Sequence, residues 1–200
     1  MKTKILKIKG DWEEVVNDCR ATVNKPPLGK EPSSEWKRKI LIAEHDPIRD
    51  IEIKFAWHEI KYWIAMHWKT HIWRCRTNTQ RNDRQGGYDR NKAPQDTPVD
   101  FIGDPNAQHC IDTWRKRMCF QASPETREYA EDFKVELQKY EPEISFALQK
   151  NCIYRGGCPE MHTCGWYNAF LSRHAGEDLS NIIHRYELAD KEFYDDRRKS

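Results

Sequence analysis

The most regular pattern in the sequence is an apolar stripe that follows Pro105. Ala107, Ile111, Trp114 and Met118 recur at intervals of three or four residues, a spacing that places side chains on one face of an α-helix. Proline is favoured at the first position of a helix, because its missing amide proton would have no partner there. The pattern therefore predicts a helix that begins at Pro105 and buries this stripe.

Strand and helix patterns surround this helix in mixed order. Ile51, Ile53 and Phe55 alternate with charged residues, which predicts a half-buried strand, and a short strand is predicted around Ile5 to Ile8. Helical spacing predicts other helices behind Asp11, behind Ser34, within Trp57–Trp73, from Pro124 and near the C-terminus. The strict alternation of a doubly wound sheet is missing. We therefore expect an α+β fold, a small mixed sheet packed with several helices.

Length and composition suit one soluble domain. A chain of 200 residues can bury a full core, and we expect a single domain over residues 1–200 with a cysteine-containing extension at about 151–200. The 8 Trp, 8 Tyr and 7 Phe supply apolar surface that disordered chains lack. No window approaches the roughly 18 apolar residues of a membrane span. Seven scattered cysteines suit a reducing compartment, so a cytoplasmic location is expected.

A polar stretch from Thr77 to Asp96 divides the chain and reads TNTQRNDRQGGYDRNKAPQD. Its cations are Arg81, Arg84, Arg90 and Lys92. Planar guanidinium groups donate paired hydrogen bonds to phosphate, and the Gly86-Gly87 pair lets backbone approach a ligand. The alternative is a solvated loop in which arginine and aspartate pair with each other. Because the net charge is only +2, any anion site must be local.

Arg117 lies at the edge of the apolar stripe, directly before Met118. A cation beside a buried face usually has an anionic partner. The alternative is a side chain that packs its stem and extends its charge into water.

The residues around Arg117 resemble the flavin-dependent thymidylate synthase family. The segment NAQHCIDTWRKRMCFQASPETRE is similar to that family's signature helix, and the matching positions are Asn106, Ala107, Arg117, Ala122, Glu125 and Arg127. Upstream, Arg90 and Pro94 keep the family's spacing to the asparagine. Thr79-Gln80-Arg81 resembles the end of the family's Ser-Gly-Arg step, and His45 resembles a histidine of a Gly-His-like turn. The likeness covers roughly residues 40 to 140.

The family's flavin motif is matched only in part. That motif reads Arg-His-Arg-x-x-Ser-x-Asn-x-x-Ser-x-Arg, and counting back from Arg81 places its first triplet on Lys69-Thr70-His71, where only the ends are basic. A second register places the triplet on Arg74-Cys75-Arg76 and the first serine on Thr79. Gln108 and Asp112 also differ from the family's usual residues.

The resemblance implies a reaction and a site. Similar enzymes methylate C5 of dUMP to give dTMP, with methylenetetrahydrofolate, NADPH and FAD, in a homotetramer whose sites form across subunits. It implies Arg117 as the catalytic residue, which also contacts the pyrimidine. The implied substrate-binding residues are Thr79, Gln80, Arg81, Arg90 and Arg117. The implied flavin-binding residues are His45, Lys69, His71 and Asn106.

Three cysteines near the C-terminus leave two interpretations open. Cys152, Cys158 and Cys164 lie six residues apart, with His162 nearby. With Cys119 close in space, they would suit structural zinc. The spacing lacks the compact CxxC knuckle, and reduced cysteines are also ordinary core residues.

Three functions remain open at this stage. The first is the flavin enzyme, or a relative that modifies C5 of another pyrimidine nucleotide. The second is a nucleic-acid-binding protein that uses the basic segment from Arg74 to Lys92 and aromatic stacking, which the near-balanced charge disfavours. The third is a zinc-stabilised interaction module without catalysis.

Overall fold

A computed structural model describes residues 2–78 and 89–199 of the chain. Its sheet has four strands in the order β1-β2-β4-β3, and every neighbouring pair is antiparallel. The strands are β1 Thr3–Lys9, β2 Glu52–Lys61, β3 Arg74–Thr77 and β4 Pro98–Asp104. The α+β class is therefore confirmed, whereas the expected mixed sheet is wrong because no pair in the described sheet is parallel.

Helices make up the rest of the regular structure in the described residues. They are α1 Trp12–Ala21, α2 Ser34–Ile42, α3 Tyr62–Lys69, α4 Ala107–Arg117, α5 Pro124–Leu137, α6 Pro142–Ala147, α7 Asn151–Arg155, α8 Trp166–Arg173 and α9 Ile182–Lys199, with a 3-10 helix at Asp46–Asp50. Within the ranges that the structure describes, no helix has the length and apolar character needed to cross a bilayer.

Two predicted helix starts are displaced by one or two residues. The helix of the apolar stripe begins at Ala107, because the Asn106 side chain accepts a hydrogen bond from the His109 amide at 2.8 Å and caps it. Pro105 lies before that cap. Likewise, Ser33 caps α2 through the Trp36 amide, in place of the expected Ser34.

The aromatic segment Trp57–Trp73 is not one helix. Strand β2 continues to Lys61, and only Tyr62–Lys69 is helical. The reason is tertiary: Trp57 pairs with Thr3 of β1 on one side and with Phe101 of β4 on the other. Ladder hydrogen bonds to two neighbours outweigh a weak local preference for helix.

The centre of the core is the ring of Phe55 on β2. Ring centroids lie 4.7 Å away at Trp57, 5.9 Å at Trp73, 6.3 Å at Trp114 and 4.9 Å at Phe133. The neighbours come from the sheet, from α4 and from α5, so one ring joins both layers. The predicted stripe of α4 is buried as expected, since Ala107, Ile111, Trp114 and Met118 are each at most 1% exposed.

A second apolar cluster lies toward the C-terminus. Its buried members are Ile42, Phe146, Cys152, Ile153, Tyr167, Phe170, Tyr186 and Ala189. Most of them belong to the predicted extension at about 151–200. Lys134 of α5, with no exposed surface, ties this part of the chain to the main core. Its ammonium donates to the carbonyls of Ser145 and Leu148 and to Asp190 of α9, at 2.7, 3.1 and 2.6 Å.

Replacing Gly103 of β4 by alanine should destabilise the protein. A Cβ atom there would lie 2.5 Å from Phe55 and 2.8 Å from Trp73, so the packed rings must shift. We expect the free energy of unfolding to fall by about 1–3 kcal/mol in urea titrations. Gly157→Ala is the matched control, because its Cβ would meet nothing within 4 Å. Equal stability of Gly103→Ala and the control would contradict this packing.

Lys134→Met should cost more. The change keeps much of the side-chain volume but removes the buried ammonium that donates to Asp190 and to two carbonyls. We expect a loss of about 3–5 kcal/mol of unfolding free energy. Lys39→Met, on an exposed lysine paired with the likewise exposed Glu35, should change it by less than about 1 kcal/mol. If both variants lost similar amounts of unfolding free energy, the buried hydrogen bonds of Lys134 would not be what connects the C-terminal cluster to the main core.

Candidate functional site

A basic cleft lies between α4, α7 and the connection from α3 to β3. Its volume is about 360 Å³, within the roughly 300–1,000 Å³ range of small-molecule sites. Cationic and titratable side chains in its wall are His71, His109, Arg115, Lys116 and Arg155, with Asp112 as the acid among them. The surplus of nitrogen donors favours an anionic occupant.

Arg117, the last residue of α4, borders this cleft. Its Nε donates to Nε2 of His71 at 2.9 Å, and its Nη2 donates to the carbonyl oxygen of His67 at 2.7 Å. A longer contact of 3.3 Å reaches the Thr70 hydroxyl. Thr70 and His71 themselves line the cleft. The guanidinium is thus fixed by groups at the C-terminal end of α3.

The partners of Arg117 are neutral. Burial, with the charges of Arg117 and Lys116, lowers the pKa of His71 to about 4, so its imidazole is uncharged near neutrality and accepts through Nε2. Burial also lowers the pKa of Arg117. Among the described residues no carboxylate forms an ion pair with Arg117. Since the groups that hold this half-buried cation are neutral, an anionic ligand that binds beside Arg117 gains a favourable electrostatic interaction.

Arg115, two residues earlier, has the opposite environment. Its Nη2 donates to Glu44 at 2.6 Å, and the Tyr154 ring lies 3.5 Å from its guanidinium carbon. Although burial opposes the charged form, hydrogen bonding to Glu44 raises the Arg115 pKa overall. The Arg115 side chain is 9% exposed, and the pair joins α4 to the end of α2. Arg115 is therefore an internal tie that also forms part of the cleft wall.

Three buried polar atoms beside this pair lack a hydrogen bond of normal geometry within the described part of the chain. They are Nε of Arg115, Oε1 of Gln108 and the hydroxyl of Tyr186. The amide nitrogen of Gln108 donates hydrogen bonds to Glu44 at 2.6 Å and to Asp112 at 3.1 Å. Buried polar atoms are seldom left unpaired in native proteins.

The structure brings some of the predicted site residues together and separates others. Lys69, His71 and Arg117 all lie near the C-terminal ends of α3 and α4, and Lys69 donates to the Thr77 hydroxyl at 3.3 Å. Asn106 caps the opposite end of α4, about 16 Å away for a helix of this length. His45 precedes the 3-10 helix that packs on α4, and it is exposed. Thr79, Gln80 and Arg81 lie outside the described residues.

Arg90, the remaining predicted substrate residue, is exposed on the far side of that gap. Its part in binding stays a prediction.

Within one chain, the four predicted flavin residues are not all brought together. Lys69 and His71 lie near the C-terminal end of α4, whereas Asn106 caps its N-terminal end with its side-chain oxygen. The basic cleft has donors suited to a phosphate or pyrophosphate, but only His71 of the four lines it. The role of these four residues in flavin binding stays a prediction.

The three C-terminal cysteines are distributed over α7 and the loop after it. Cys152 is buried on α7, Cys158 is half-buried and Cys164 is exposed. Together with Cys119 they line one small cavity. As the side chains stand, no three His, Cys, Asp or Glu residues in ranges 2–78 and 89–199 are arranged to hold a metal ion.

Sequence reasoning missed most of the cleft. His109, Lys116 and Arg155 were not selected, nor was the Glu44–Arg115 pair. The run Arg115-Lys116-Arg117 was a visible signal of charge at the end of a buried helix. No local signal marks Arg155, because α7 reaches the cleft only through packing of the C-terminal segment.

The architecture is shared with a nucleotide methylase of known structure. No family model matches the sequence, and no curated protein matches it. One solved structure with this fold is the UMP/dUMP methylase PolB from Streptomyces cacaoi, bound with 5-Br dUMP. It matches with a TM-score of 0.58 and 12% sequence identity, over 72% of this chain and 93% of that chain. At this identity the likeness concerns the fold.

Stability should decline in mild acid because of His71. In the folded chain the pKa of His71 is about 4, below the ordinary value of 6.5. Between these two pH values the unfolded chain therefore binds a proton at this histidine, whereas the folded chain does not. The contribution of neutral His71 to the free energy of unfolding is complete above about pH 6.5 and is lost as the pH falls toward 4. His71→Gln, which keeps an acceptor for Arg117, should lose less unfolding free energy than the wild type between pH 7 and pH 5.

Histidine NMR provides the direct check of this assignment. The resonance that disappears in His71→Gln should not titrate until the pH is near 4. If it titrates near the ordinary value, the neutral acceptor assigned to Arg117 is wrong.

Proposed function

We propose that the protein methylates C5 of a pyrimidine nucleotide, converting dUMP to dTMP with methylenetetrahydrofolate as carbon donor and NADPH as reductant. The observation that carries the proposal is Arg117, a half-buried guanidinium held by neutral groups at the border of a basic cleft. The fold shared with a UMP/dUMP methylase supports it, as does the resemblance of the α4 segment to the signature helix of the flavin-dependent thymidylate synthases.

Arg117 is the proposed catalytic residue. As C5 of the pyrimidine becomes nucleophilic, negative charge develops on a ring carbonyl oxygen, and a preorganised cation beside that oxygen lowers the barrier. His71 and the His67 carbonyl hold the guanidinium before substrate arrives, so little reorganisation is needed during the reaction. The neutral imidazole orients the arginine without competing for its charge.

The basic cleft is the proposed phosphate subsite of the same ligand. Lys116, His109 and Arg155 line it, and a nucleotide monophosphate is a dianion of suitable size for its volume. Arg81, Arg90, Thr79 and Gln80 remain proposed contacts to the nucleotide, from the polar stretch that separates β3 from β4.

FAD is the proposed redox cofactor, on the resemblance alone. Because Asn106 lies at the other end of α4 from Lys69 and His71, the proposal includes a homo-oligomer, a tetramer as in the similar family, in which a neighbouring copy completes the flavin site.

A second candidate substrate is UMP. PolB, which shares the fold, is a methylase of both UMP and dUMP. A ribonucleotide would enter the same basic cleft, since the phosphate and the pyrimidine are common to both.

The test is NADPH oxidation by the purified protein with added FAD and methylenetetrahydrofolate, with dUMP, with UMP and without nucleotide. We expect dTMP or its ribose counterpart as product. Arg117→Ala should lower kcat by about 10²–10³-fold while flavin absorbance is retained. Arg198→Ala, an exposed arginine paired with Asp195 on α9, is the control and should keep full activity. A protein that binds no flavin and ignores both nucleotides, or an Arg117→Ala variant with normal turnover, would refute the proposal.

A further inference from the structure

Four of the seven cysteines surround one small enclosed cavity. Cys119 follows the end of α4, Cys152 is on α7, and Cys158 and Cys164 are in the loop between α7 and α8. All four are free thiols. The cavity leaves about 10 Å³ for the centre of a water-sized particle. Three separate parts of the chain thus direct soft sulfur ligands at a space for one small occupant.

The loop that carries Cys158 and Cys164 has little else to order it. Every residue from 159 to 164 is exposed, and Met161 is 97% exposed. The hydrogen bond that reaches residues 159–164 from a distant part of the chain is donated by the Gln121 side chain to the His162 carbonyl at 2.7 Å. Ordering such a segment costs conformational entropy that burial does not offset here. A cross-link through its two cysteines supplies the missing constraint.

The walls of the cavity suit a charged cluster of sulfur ligands. The aromatic rings of Phe120 and Trp166 form part of the wall, and Lys150 also lines the space. The Lys150 ammonium lies 4.3 Å from the Trp166 ring centroid and 5.4 Å from that of Phe120. Four thiolates around a divalent ion carry a net negative charge, which a neighbouring ammonium offsets.

We infer that Cys119, Cys152, Cys158 and Cys164 bind one structural Zn²⁺ ion. Zinc takes four thiolates in a tetrahedron with Zn–S distances of about 2.3 Å. The four sulfurs are not yet arranged in this way: the ion assembles the site, releasing the thiol protons to solvent and drawing the loop onto α4 and α7. The glycines at 156, 157 and 165 give that loop the freedom to close.

The site stabilises two walls of the basic cleft, whatever reaction occurs there. Cys119 is two residues beyond Arg117, and Cys152 is on the same short helix as Tyr154 and Arg155. A zinc ion bound to both would fix the end of α4 relative to α7. The inference does not depend on the proposed methylation, because zinc content is measured without turnover.

The experiment is metal analysis of the full chain, expressed with zinc and purified under reducing conditions without a metal-affinity step. We expect about one zinc per chain, and cobalt substitution should give the thiolate charge-transfer band of a tetrahedral site. Cys158→Ser and Cys164→Ser should each weaken zinc binding by more than the roughly 10- to 100-fold that loss of a supporting group costs. Cys19→Ser and Cys75→Ser alter thiols outside the cavity and should retain the metal.

Hydrogen exchange separates a zinc site from simple thiol packing. Chelation should increase exchange in residues 156–165 while the sheet stays protected. Wild-type protein that takes up neither zinc nor cobalt overturns the inference, and so does a disulfide among the four cysteines in the reduced preparation. If the serine variants fail to fold, the wild-type cobalt spectrum still decides the question.

Discussion

The packing of the Phe55 ring against aromatic side chains of both layers is the constraint on which the rest of the structure depends. It fixes α4 across the sheet through Trp114, whose ring lies 4.2 Å from Phe133 and whose indole nitrogen donates to the Ala130 carbonyl. The indole nitrogen of Trp73 likewise donates a hydrogen bond to the Thr113 hydroxyl of α4. Because these rings are fully buried, α4 cannot rotate without opening the core. Every polar group on α4 therefore has a set direction.

That fixed direction gives neighbouring arginines different properties. Arg115 points to the end of α2 and is neutralised by Glu44, whereas Arg117 points to the end of α3 and meets a neutral histidine and a carbonyl. A buried ion pair contributes position more than stability, since desolvation offsets much of its attraction. A cation with neutral partners differs, because its electrostatic attraction stabilises a complex only when an anionic ligand binds. Both arginines lie at the basic cleft, Arg115 in its wall and Arg117 at its border.

Local patterns predicted those parts of the fold in which neighbours in sequence are also neighbours in space. The stripe on α4, the alternation at Ile53 and Phe55 and the Asp11 cap of α1 follow from helix or strand geometry, and the structure confirms them. The strands β3 and β4 were missed. In β4 the buried positions Val99, Phe101 and Gly103 do alternate, but the last has no side chain, because the rings of Phe55 and Trp73 fill its place.

The sequence by itself determined the α+β class and the buried face of α4, because both follow from the spacing of apolar residues within individual segments, and it singled out Arg117 as a candidate. Only the tertiary structure decided that His71 is the partner of Arg117, that Arg155 and Lys116 share a cleft, and that Cys119 meets three cysteines more than thirty residues away. These contacts join residues distant in sequence through long-range packing. No periodicity encodes such contacts, since they arise when α3, α4 and α7 pack around the same aromatic core and its C-terminal neighbour.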